Sequence, residues 1–377
     1  MINPKTFFEG LKSSGTDFFT GVPDSLLKNI CAYIENHASK KEHVIAANEG
    51  NALSLGIGCY LATGKVPLIY MQNSGLGNIV NPLMSLADVE VYSVPMLLMI
   101  GWRGEPGVKD EPQHKKQGRV TLETLDAMEI PYTVITPAMN DEQALSVIAK
   151  ASLHAREKQT PYALVVKKDS FEVYKLKSVE TANFPLVREQ AIKTLVKNLE
   201  DNAVVVSTTG VTSRELFEYR EELKQGHEKD FLTVGGMGHA SQIALGIALQ
   251  QPSRPVFCFD GDGAMLMHMG SLAINASMKC DNFKHIVFNN GAHDSVGGQP
   301  TIAYDIDVLQ LAHSVGYSWA EQAQTDEEIE AALIRLQAHK GVGLLEIRVN
   351  KGFRKDLGRP TTTPMENKKA LMAFLAE

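Results

Sequence analysis

The most constraining feature of this sequence is a pair of short polar segments, each placed directly after an apolar stretch. Gly261-Asp262-Gly263 follows the apolar residues 256–259, and Asn289-Asn290 follows residues 285–288. A helix predicted over 264–278 connects the two stretches, so the pattern predicts a β-α-β unit with parallel strands. Because the carboxyl ends of parallel strands lie at one edge of a sheet, Asp262 and Asn290 are expected to face each other there.

A carboxylate, an amide oxygen and a loop carbonyl at this edge would form a hard oxygen site, which suits Mg²⁺ held partly by a diphosphate. An EF-hand is the alternative that Asp260-Gly261-Asp262 suggests. It is disfavoured because Ala264, Met265 and Ser271 occupy positions where that loop needs polar ligands or glycine. An isolated Gly-Asp-Gly turn is often only a turn, but the asparagine pair after the next strand favours the metal–diphosphate interpretation.

Length, charge and cysteine usage limit the possible classes of protein. A chain of 377 residues with 44% hydrophobic residues is large enough for two domains. Its apolar runs are too short to span a membrane, and residues 1–5 do not begin a signal peptide. The net charge of −7 argues against nucleic-acid binding, so an anionic substrate would need a local basic cluster. The four cysteines lack metal-ligand spacing and predict free thiols in a reducing cytoplasm.

Alternating helix and strand patterns predict an α/β fold with two doubly wound parallel-sheet domains and no middle domain. The expected parts are an N-terminal domain over 1–170, a linker over 171–187 and a C-terminal domain over 188–377. The predicted strands are 18–21, 44–46, 66–71, 94–100, 132–135, 162–166, 203–206, 231–234, 256–259, 285–288 and 343–349. The other predicted helices are 6–13, a helix capped by Asp24 or Ser25 that continues to 35, 52–63, 188–199, 212–219 and 239–250.

Several candidate residues lie where predicted strands end and ligands commonly bind. Glu49 begins a small-residue helix, where an acidic residue is also explained by the helix dipole alone. Gly235-Gly236-Met237-Gly238 is a strand-to-helix turn that lacks the third glycine of a dinucleotide fingerprint. Further candidates are Thr208, Thr209 and Gly210 for diphosphate, and Ser25, Asn73 and His293 for substrate.

The segment from Gly101 to Arg119 is predicted to be a long ordered loop or lid because glycine and proline interrupt it. It is rich in basic residues: Arg103, Lys109, His114, Lys115, Lys116 and Arg119. A solvated charged loop with its own acidic partners is the ordinary explanation. As a group in an acidic protein, these residues are candidates for binding a small dianion such as a phosphonate or sulfonate. A second basic cluster, residues 354–359, is assigned to the tail.

The motifs Gly-Val-Pro-Asp-Ser, Asn-Glu-Gly-Asn-Ala, Gly-Asp-Gly and Asn-Asn-Gly-Ala-His, together with the basic loop, resemble the short thiamine-diphosphate-dependent decarboxylases. The resemblance covers nearly the whole chain and implies that each domain has the thiamine-diphosphate-binding fold, one for the pyrimidine and one for the diphosphate. It implies thiamine diphosphate and Mg²⁺ as cofactors, with Asp262, Asn290 and the Ala292 carbonyl on the metal. Glu49 would activate the aminopyrimidine ring. The remaining implied cofactor contacts are Gly235, Met237, Gly263 and Ala264.

The resemblance also implies an activity, which is decarboxylation of 3-phosphonopyruvate to phosphonoacetaldehyde and CO₂ in phosphonate biosynthesis. Asp24 would handle a proton, and Arg103, Lys109 and His114 would bind the anionic substrate. Sulfopyruvate or another 2-keto acid is an alternative substrate. A carboligase and a non-catalytic diphosphate-binding module are also open. A homodimer or homotetramer with the cofactor at the subunit interface is expected.

Overall fold

The computed structural model describes residues 1–177 and 183–377, which divide into two compact units. The first unit is Met1–Ser178 with Val296–Gln299, and the second is Val179–Ser295 with Pro300–Glu377. The predicted domain boundaries and linker stay predictions, because residues 178–182 of that linker lie outside the described part of the chain.

The first unit contains a six-stranded, all-parallel sheet with strand order β2-β1-β3-β4-β6-β5. Its elements in chain order are α1 (Pro4–Ser13), β1 (Phe19–Gly21), α2 (Lys28–His37), β2 (His43–Ile45), α3 (Glu49–Thr63), β3 (Leu68–Gln72), α4 (Leu76–Pro82), β4 (Met96–Gly101), α5 (Pro112–Ala127), β5 (Tyr132–Ile135), α6 (Asp141–Lys158) and β6 (Pro161–Val166).

Helices cover both faces of this sheet, which explains why its central strands are apolar without interruption. Leu68 and Tyr70 of β3 point into one buried cluster together with residues of α1, α2 and α6. Ile69 and Met71 alternate with them and point into a second cluster, with residues of α3, α4 and α5. The sheet is therefore doubly wound.

The second unit repeats this architecture with a six-stranded parallel sheet in the order β11-β12-β10-β9-β7-β8. Its elements are α7 (Arg188–Lys197), β7 (Val204–Ser207), α8 (Val211–Glu222), β8 (Asp230–Leu232), α9 (Ala240–Gln250), β9 (Val256–Gly261), α10 (Asp262–Met267), α11 (Ser271–Ser277), β10 (Phe283–Asn289), α12 (Val308–Val315), β11 (Trp319–Ala323), α13 (Asp326–Ala338), β12 (Gly343–Arg348) and α14 (Pro364–Leu375). Two clusters again cover the two faces. The predicted fold class is confirmed.

Three local predictions are wrong. The helix predicted over 264–278 is two helices, α10 and α11, separated at His268–Gly270. The basic segment is a loop only as far as Glu111, because Pro112 is well placed to begin a helix and α5 starts there. Neither Asp24 nor Ser25 caps α2, which begins at Lys28 without a side-chain cap.

All four cysteines are free thiols, as predicted; Cys31, Cys258 and Cys280 are buried and Cys59 is half-buried. Within the described ranges, the structure contains no helix with both the length and the apolar character that crossing a lipid bilayer requires.

Candidate active site

Four candidate residues of the first unit, Asp24, Ser25, Asn73 and Arg103, lie at the carboxyl ends of three adjacent strands. β1 pairs with β3 and β3 pairs with β4, all in parallel register. Asp24 and Ser25 follow β1, Gln72 and Asn73 stand at the end of β3, and Arg103 follows β4. Because the three strands are parallel neighbours, their ends bring these polar side chains to one edge of the sheet.

Asp24 is fully buried at this edge. Its Oδ1 accepts a hydrogen bond from Gln72 Nε2 at 2.7 Å, and its Oδ2 accepts one from the Leu26 amide at 2.9 Å. Burial raises the pKa of the Asp24 carboxyl above its ordinary value, although these bonds and the nearby Arg103 charge lower it. The site therefore favours the protonated form of Asp24 more than water does.

The position of the Asp24 carboxyl group also depends on the close approach of the β4 backbone. A β carbon at Gly101 would lie 2.2 Å from Asp24 Oδ2. A side chain at position 101 would displace the Asp24 carboxyl group. Glycine is therefore required at the end of β4, because no larger residue fits there.

Arg103 is held by two side chains close to this edge. Its Nε donates to Asp110 Oδ2 at 2.8 Å, Nη2 donates to Asp110 Oδ1 at 2.5 Å and Nη1 donates to Ser25 Oγ at 2.9 Å. Burial opposes ionisation of Asp110, but bonds from Arg103 and from the Glu111 and Gly104 amides hold the pKa of Asp110 well below its usual value. Both charges of the pair are therefore kept at neutral pH.

Asn73 has a different set of contacts from the one expected of a substrate ligand. It is buried, and its Nδ2 donates to the Arg103 carbonyl at 2.8 Å and to Thr121 Oγ1 at 2.9 Å. Its Oδ1 accepts from the Arg103 amide at 3.2 Å. Asn73 therefore fixes the backbone of Arg103. Of the other predicted basic ligands, Lys109 is exposed on the loop and His114 is buried in the first turn of α5.

Glu49 is the first residue of α3, and the preceding Asn48 caps this helix through a bond from the Asn51 amide to Asn48 Oδ1. The Glu49 side chain is buried. Its Oε2 accepts a hydrogen bond from Asn78 Nδ2 at 2.7 Å. A buried carboxyl group with one amide donor can itself donate or accept a further hydrogen bond through its other oxygen.

In the second unit, Asp262 and Asn290 follow the ends of two paired strands. β9 and β10 are parallel, with Phe288 opposite Gly261. Asp262 begins α10 immediately after β9, and Asn290 is the first residue beyond β10. The sheet register therefore places the two residues at the same edge, as the sequence predicts. Asp260, by contrast, is paired inside the sheet with His285 at 3.3 Å.

The Asp262 environment suits a cation. The side chain is buried, and Thr301 Oγ1 donates to its Oδ2 at 2.5 Å. Burial raises the pKa of Asp262 to about 6, opposed by bonds from Thr301 and the Gly263 amide and by the charge of Arg188. A carboxylate in such surroundings is stabilised by a nearby positive charge.

The turn after β10 carries two more oxygen atoms of the predicted site, Oδ1 of Asn290 and the carbonyl oxygen of Ala292. Asn290 Oδ1 accepts from the Ala292 amide at 3.1 Å, which leaves it a second acceptor position. Gly291 has a positive φ of 62°, and its conformation directs the chain back from the strand. Oxygen-only donors around a buried carboxylate fit Mg²⁺. His293 packs on Gly263, where a β carbon would lie 3.2 Å from the ring, and burial lowers the pKa of His293 to about 4.

The predicted diphosphate residues lie between β7 and α8. Thr208 is buried and its amide donates to the Phe259 carbonyl at 2.7 Å, which fixes it beside β9. Gly210 has φ 95° and ψ −132°, a conformation that L side chains rarely adopt, and α8 begins at the next residue. The backbone amides at the start of a helix favour a bound anion, and Gly210 provides no side-chain cap here.

The glycine-rich turn lies after β8, the neighbour of β7. Gly236 and Gly238 have positive φ values of 65° and 83°. Met237 between them is half-buried. A β carbon at Gly238 would lie 2.6 Å from the His268 ring, at the break between α10 and α11, so this turn packs directly against the break.

The structure also adds site residues that the sequence does not single out. Gln72 binds Asp24, Asn78 binds Glu49 and Thr301 binds Asp262. Gln72 and Asn78 flank Asn73 in one polar segment after β3, so their position at the edge is detectable in the sequence. The choice of partner is not, because each bond joins residues separated by 29 to 48 positions.

Comparison with known proteins identifies both units. Residues 4–130 match the family model of the thiamine pyrophosphate enzyme N-terminal TPP binding domain, and residues 209–347 match that of the C-terminal TPP binding domain. Thiamine pyrophosphate is another name for thiamine diphosphate.

Three of the relatives match over most of this chain and most of their own length. A phosphonopyruvate decarboxylase from Streptomyces viridochromogenes is 32% identical, over 100% of this chain and 95% of the relative. One from Streptomyces hygroscopicus is 30% identical, with the same coverage. A sulfopyruvate decarboxylase from Methanosarcina acetivorans is 26% identical, over 93% of this chain and 92% of the relative.

The two units are thus the domains of a thiamine-pyrophosphate-dependent decarboxylase. The chain belongs to the family of the phosphonopyruvate decarboxylases, and the predicted fold, with a thiamine-pyrophosphate-binding domain in each half, is confirmed.

Proposed function

We propose that this chain decarboxylates 3-phosphonopyruvate to phosphonoacetaldehyde and CO₂, with thiamine diphosphate and Mg²⁺ as cofactors, in phosphonate biosynthesis. The observation that carries the proposal is the full-length similarity to two phosphonopyruvate decarboxylases. The arrangement of a buried acid beside a fixed guanidinium in the first unit supports an anionic substrate.

The cofactor would be held mainly by residues of the strand ends already described. Asp262, Asn290 and the Ala292 carbonyl would bind Mg²⁺, and the start of α8 would bind the diphosphate. Thiamine diphosphate, when bound, supplies the electron sink for loss of CO₂. The other cofactor contacts that we propose are Glu49, Thr208, Thr209, Gly210, Gly235, Met237, Gly263 and Ala264. Glu49, buried next to Asn78, would hold a proton at the aminopyrimidine ring.

The substrate would be bound by Arg103 and the residues around it. Arg103 uses three of its five N–H donors on Asp110 and Ser25, and its remaining two are suited to a phosphonate oxygen. Lys109, exposed on the same loop, would add a second positive charge. Asp24 has a raised pKa and would supply or hold the proton that product formation needs. His293 is neutral at pH 7 and would contribute a hydrogen bond, whereas His114 would support the loop from α5.

A product assay tests this proposal. The protein with thiamine diphosphate and Mg²⁺ is given 3-phosphonopyruvate, 3-sulfopyruvate or pyruvate, and the products are measured by mass spectrometry and CO₂ release. We expect phosphonoacetaldehyde from the first substrate, with the highest kcat/KM of the three. Absence of CO₂ release from all three would contradict the proposal and favour a non-catalytic module. A carbon–carbon adduct in place of an aldehyde would indicate a carboligase.

Sulfopyruvate is the second candidate substrate, favoured by the relative from Methanosarcina acetivorans. Both substrates are 2-keto acids that carry a second anionic group on C3, and Arg103 can bind either a phosphonate or a sulfonate. A higher kcat/KM for sulfopyruvate than for phosphonopyruvate in the same assay would select this alternative.

We also propose that the protein is a homo-oligomer, at least a dimer, with the cofactor bound at a subunit interface. Support comes from exposed apolar side chains on α3 and in the segment after α4: Leu55, Leu61, Met84, Val91 and Tyr92. Large apolar side chains that are exposed on a helix beginning with Glu49, and in the segment after α4, would be covered in such an interface.

Subunit mixing tests this arrangement. Glu49→Gln and Asp262→Ala are each expected to be inactive. If Glu49 and Asp262 of different subunits form each site, refolding an equal mixture should recover about one quarter of wild-type activity, since half of the dimers then contain one intact site. No recovery, with mixed dimers shown by mass spectrometry, would contradict the shared site.

A cytoplasmic location is part of the same proposal. The free state of all four cysteines supports a reducing compartment. Fractionation of the source cells tests it, and recovery of the protein from the membrane or secreted fraction would contradict it.

A further inference from the structure

Thr301 connects the two halves of the candidate metal site. Its hydroxyl donates to Asp262 Oδ2 at 2.5 Å, at the end of β9. Its backbone amide donates to the Gly291 carbonyl at 2.9 Å, inside the turn that carries Asn290 and Ala292. One residue thus fixes both the carboxylate and the turn, although the chain separates it from Asp262 by 39 residues.

Neighbouring bonds set the orientation of the Thr301 hydroxyl. Its oxygen accepts a hydrogen bond from the Ala303 amide at 3.3 Å, so its own hydrogen is left to point at Asp262. Ala303 is buried, and its carbonyl accepts from Asn289 Nδ2 at 3.3 Å. Asn289 Nδ2 also donates to Glu346 Oε1 at 2.7 Å, deep in the sheet. The hydroxyl is therefore tied to the core through a continuous series of bonds.

Residues 300–304 also support the turn formed by residues 290–292. Ala292 and Pro300 form an isolated antiparallel bridge, so the start of the 300–304 segment lies beside the turn. A β carbon at Gly291 would lie 2.3 Å from the Tyr304 ring, so that ring fills the space beneath the turn. Residues 300–304 thus contact the carboxylate and the turn at once.

We propose that Thr301 is a positioning residue for the divalent cation. Its hydroxyl holds one oxygen of Asp262, which leaves the other oxygen oriented for the cation, and its amide keeps the Asn290–Ala292 turn in register with Asp262. The proposal rests on the proposed Mg²⁺–thiamine diphosphate function. Hydrogen-bond partners behind metal ligands fix the orientation of those ligands, and their loss commonly reduces metal affinity about 10- to 100-fold.

The alternative is that Thr301 only stabilises the fold, and a matched threonine separates the two roles. Thr194 is buried in α7 of the same unit, and its hydroxyl also donates to a carboxylate, that of Asp326. Neither residue of that pair is among the candidate site residues. Thr301→Val and Thr194→Val each remove a hydroxyl–carboxylate bond and keep the branched shape of the side chain.

The experiment measures cation affinity directly. Isothermal titration calorimetry gives the Kd for Mg²⁺ in the presence of saturating thiamine diphosphate, and thermal unfolding is measured without either ligand. We expect Thr301→Val to raise the Kd about 10- to 100-fold, and Thr301→Ser, which keeps the hydroxyl, to stay within about threefold of wild type. Thr194→Val should lower the Tm and leave the Kd unchanged.

Two results would contradict the positioning role of Thr301. One is a Kd for Mg²⁺ of Thr301→Val within threefold of the wild-type value. The other is a Kd of Thr194→Val that is raised as much as that of Thr301→Val. If Thr301→Val does not fold, Thr301→Ala takes its place and must show the same loss relative to Thr301→Ser. If the wild type itself binds no Mg²⁺ with thiamine diphosphate, the proposed function fails as well, whereas tight wild-type binding with an unaffected variant overturns only this inference.

Discussion

Gly75 and Glu49 are in such close contact that a β carbon at position 75 would lie 2.5 Å from Oε1 of Glu49. Gly75 has φ −74° and ψ −12°, which any L residue adopts. Glycine is therefore needed at position 75 because a side chain would collide with Glu49, and not because of its backbone conformation. The turn before α4 thus fixes the place of the carboxyl group on α3.

Replacement of Gly75 should disturb Glu49 without straining the backbone. We expect Gly75→Ala to lower kcat by about 10- to 100-fold, because displacement of a catalytic group by a small distance costs about that much. Steady-state kinetics with saturating cofactor measures it. Gly77→Ala is the control, since a β carbon there meets nothing within 4 Å and the residue is exposed on α4. Equal activity of both variants and wild type would show that Glu49 tolerates the shift.

Glu49→Gln keeps the shape of the side chain and removes its acid. We expect kcat to fall at least about 100-fold, the usual size of a general acid–base contribution. The Asn78 bond can be retained, so cofactor binding measured by calorimetry should change little. Unimpaired turnover would remove the assignment of Glu49 as the activating residue.

Arg103→Ala should act on substrate binding and leave the cofactor chemistry intact. Loss of the guanidinium also leaves Asp110 without its bidentate partner. We expect the KM for 3-phosphonopyruvate to rise about 10- to 100-fold, because a charge-assisted pair contributes about 1.5–3 kcal/mol. Pyruvate, which lacks the second anionic group, is the matched substrate, and its kcat/KM should change far less. An equal loss for both substrates would indicate general damage to the site.

The buried Lys284 gives the fold a specific pH dependence. Burial lowers the pKa of this amine to about 8, although its Nζ donates to the His339 carbonyl at 2.7 Å and to the Gly341 carbonyl at 3.1 Å. Between this value and the ordinary lysine pKa, the unfolded chain binds more protons than the folded one. The free energy of unfolding therefore rises with pH over that range.

Comparison with Lys284→Met isolates this effect from other titrations. Between about pH 7.5 and 9.5, the wild type should gain about 2 kcal/mol of unfolding free energy relative to the variant. Urea unfolding at several pH values measures the difference. A constant difference across this range would show that Lys284 keeps an ordinary pKa.

Two of the failed secondary-structure predictions involve close contacts between distant segments. The break between α10 and α11 occurs where the turn around Gly238 packs on His268. The helical pattern of 264–278 contains only Gly270 as a local signal for that break. In the basic segment, Gly104 and Gly118 allow the loop to lie against α5, where a β carbon at Gly118 would meet the Gly104 carbonyl at 1.7 Å. Such contacts between distant segments leave little trace in local periodicity.

The amino-acid sequence is enough to predict the alternation of buried strands and helices, and with it the two parallel sheets. It also predicts the carboxyl-terminal edge of each sheet, where Asp24 and Glu49 emerge in the first unit and Asp262 and Asn290 in the second. It could do so because strand and helix periods are local properties and parallel strands place their ends on one side. The side chains that contact the three carboxylates, namely Gln72, Asn78 and Thr301, are set by the folded three-dimensional arrangement. Those pairings depend on strand order and register, which bring together residues far apart in the chain.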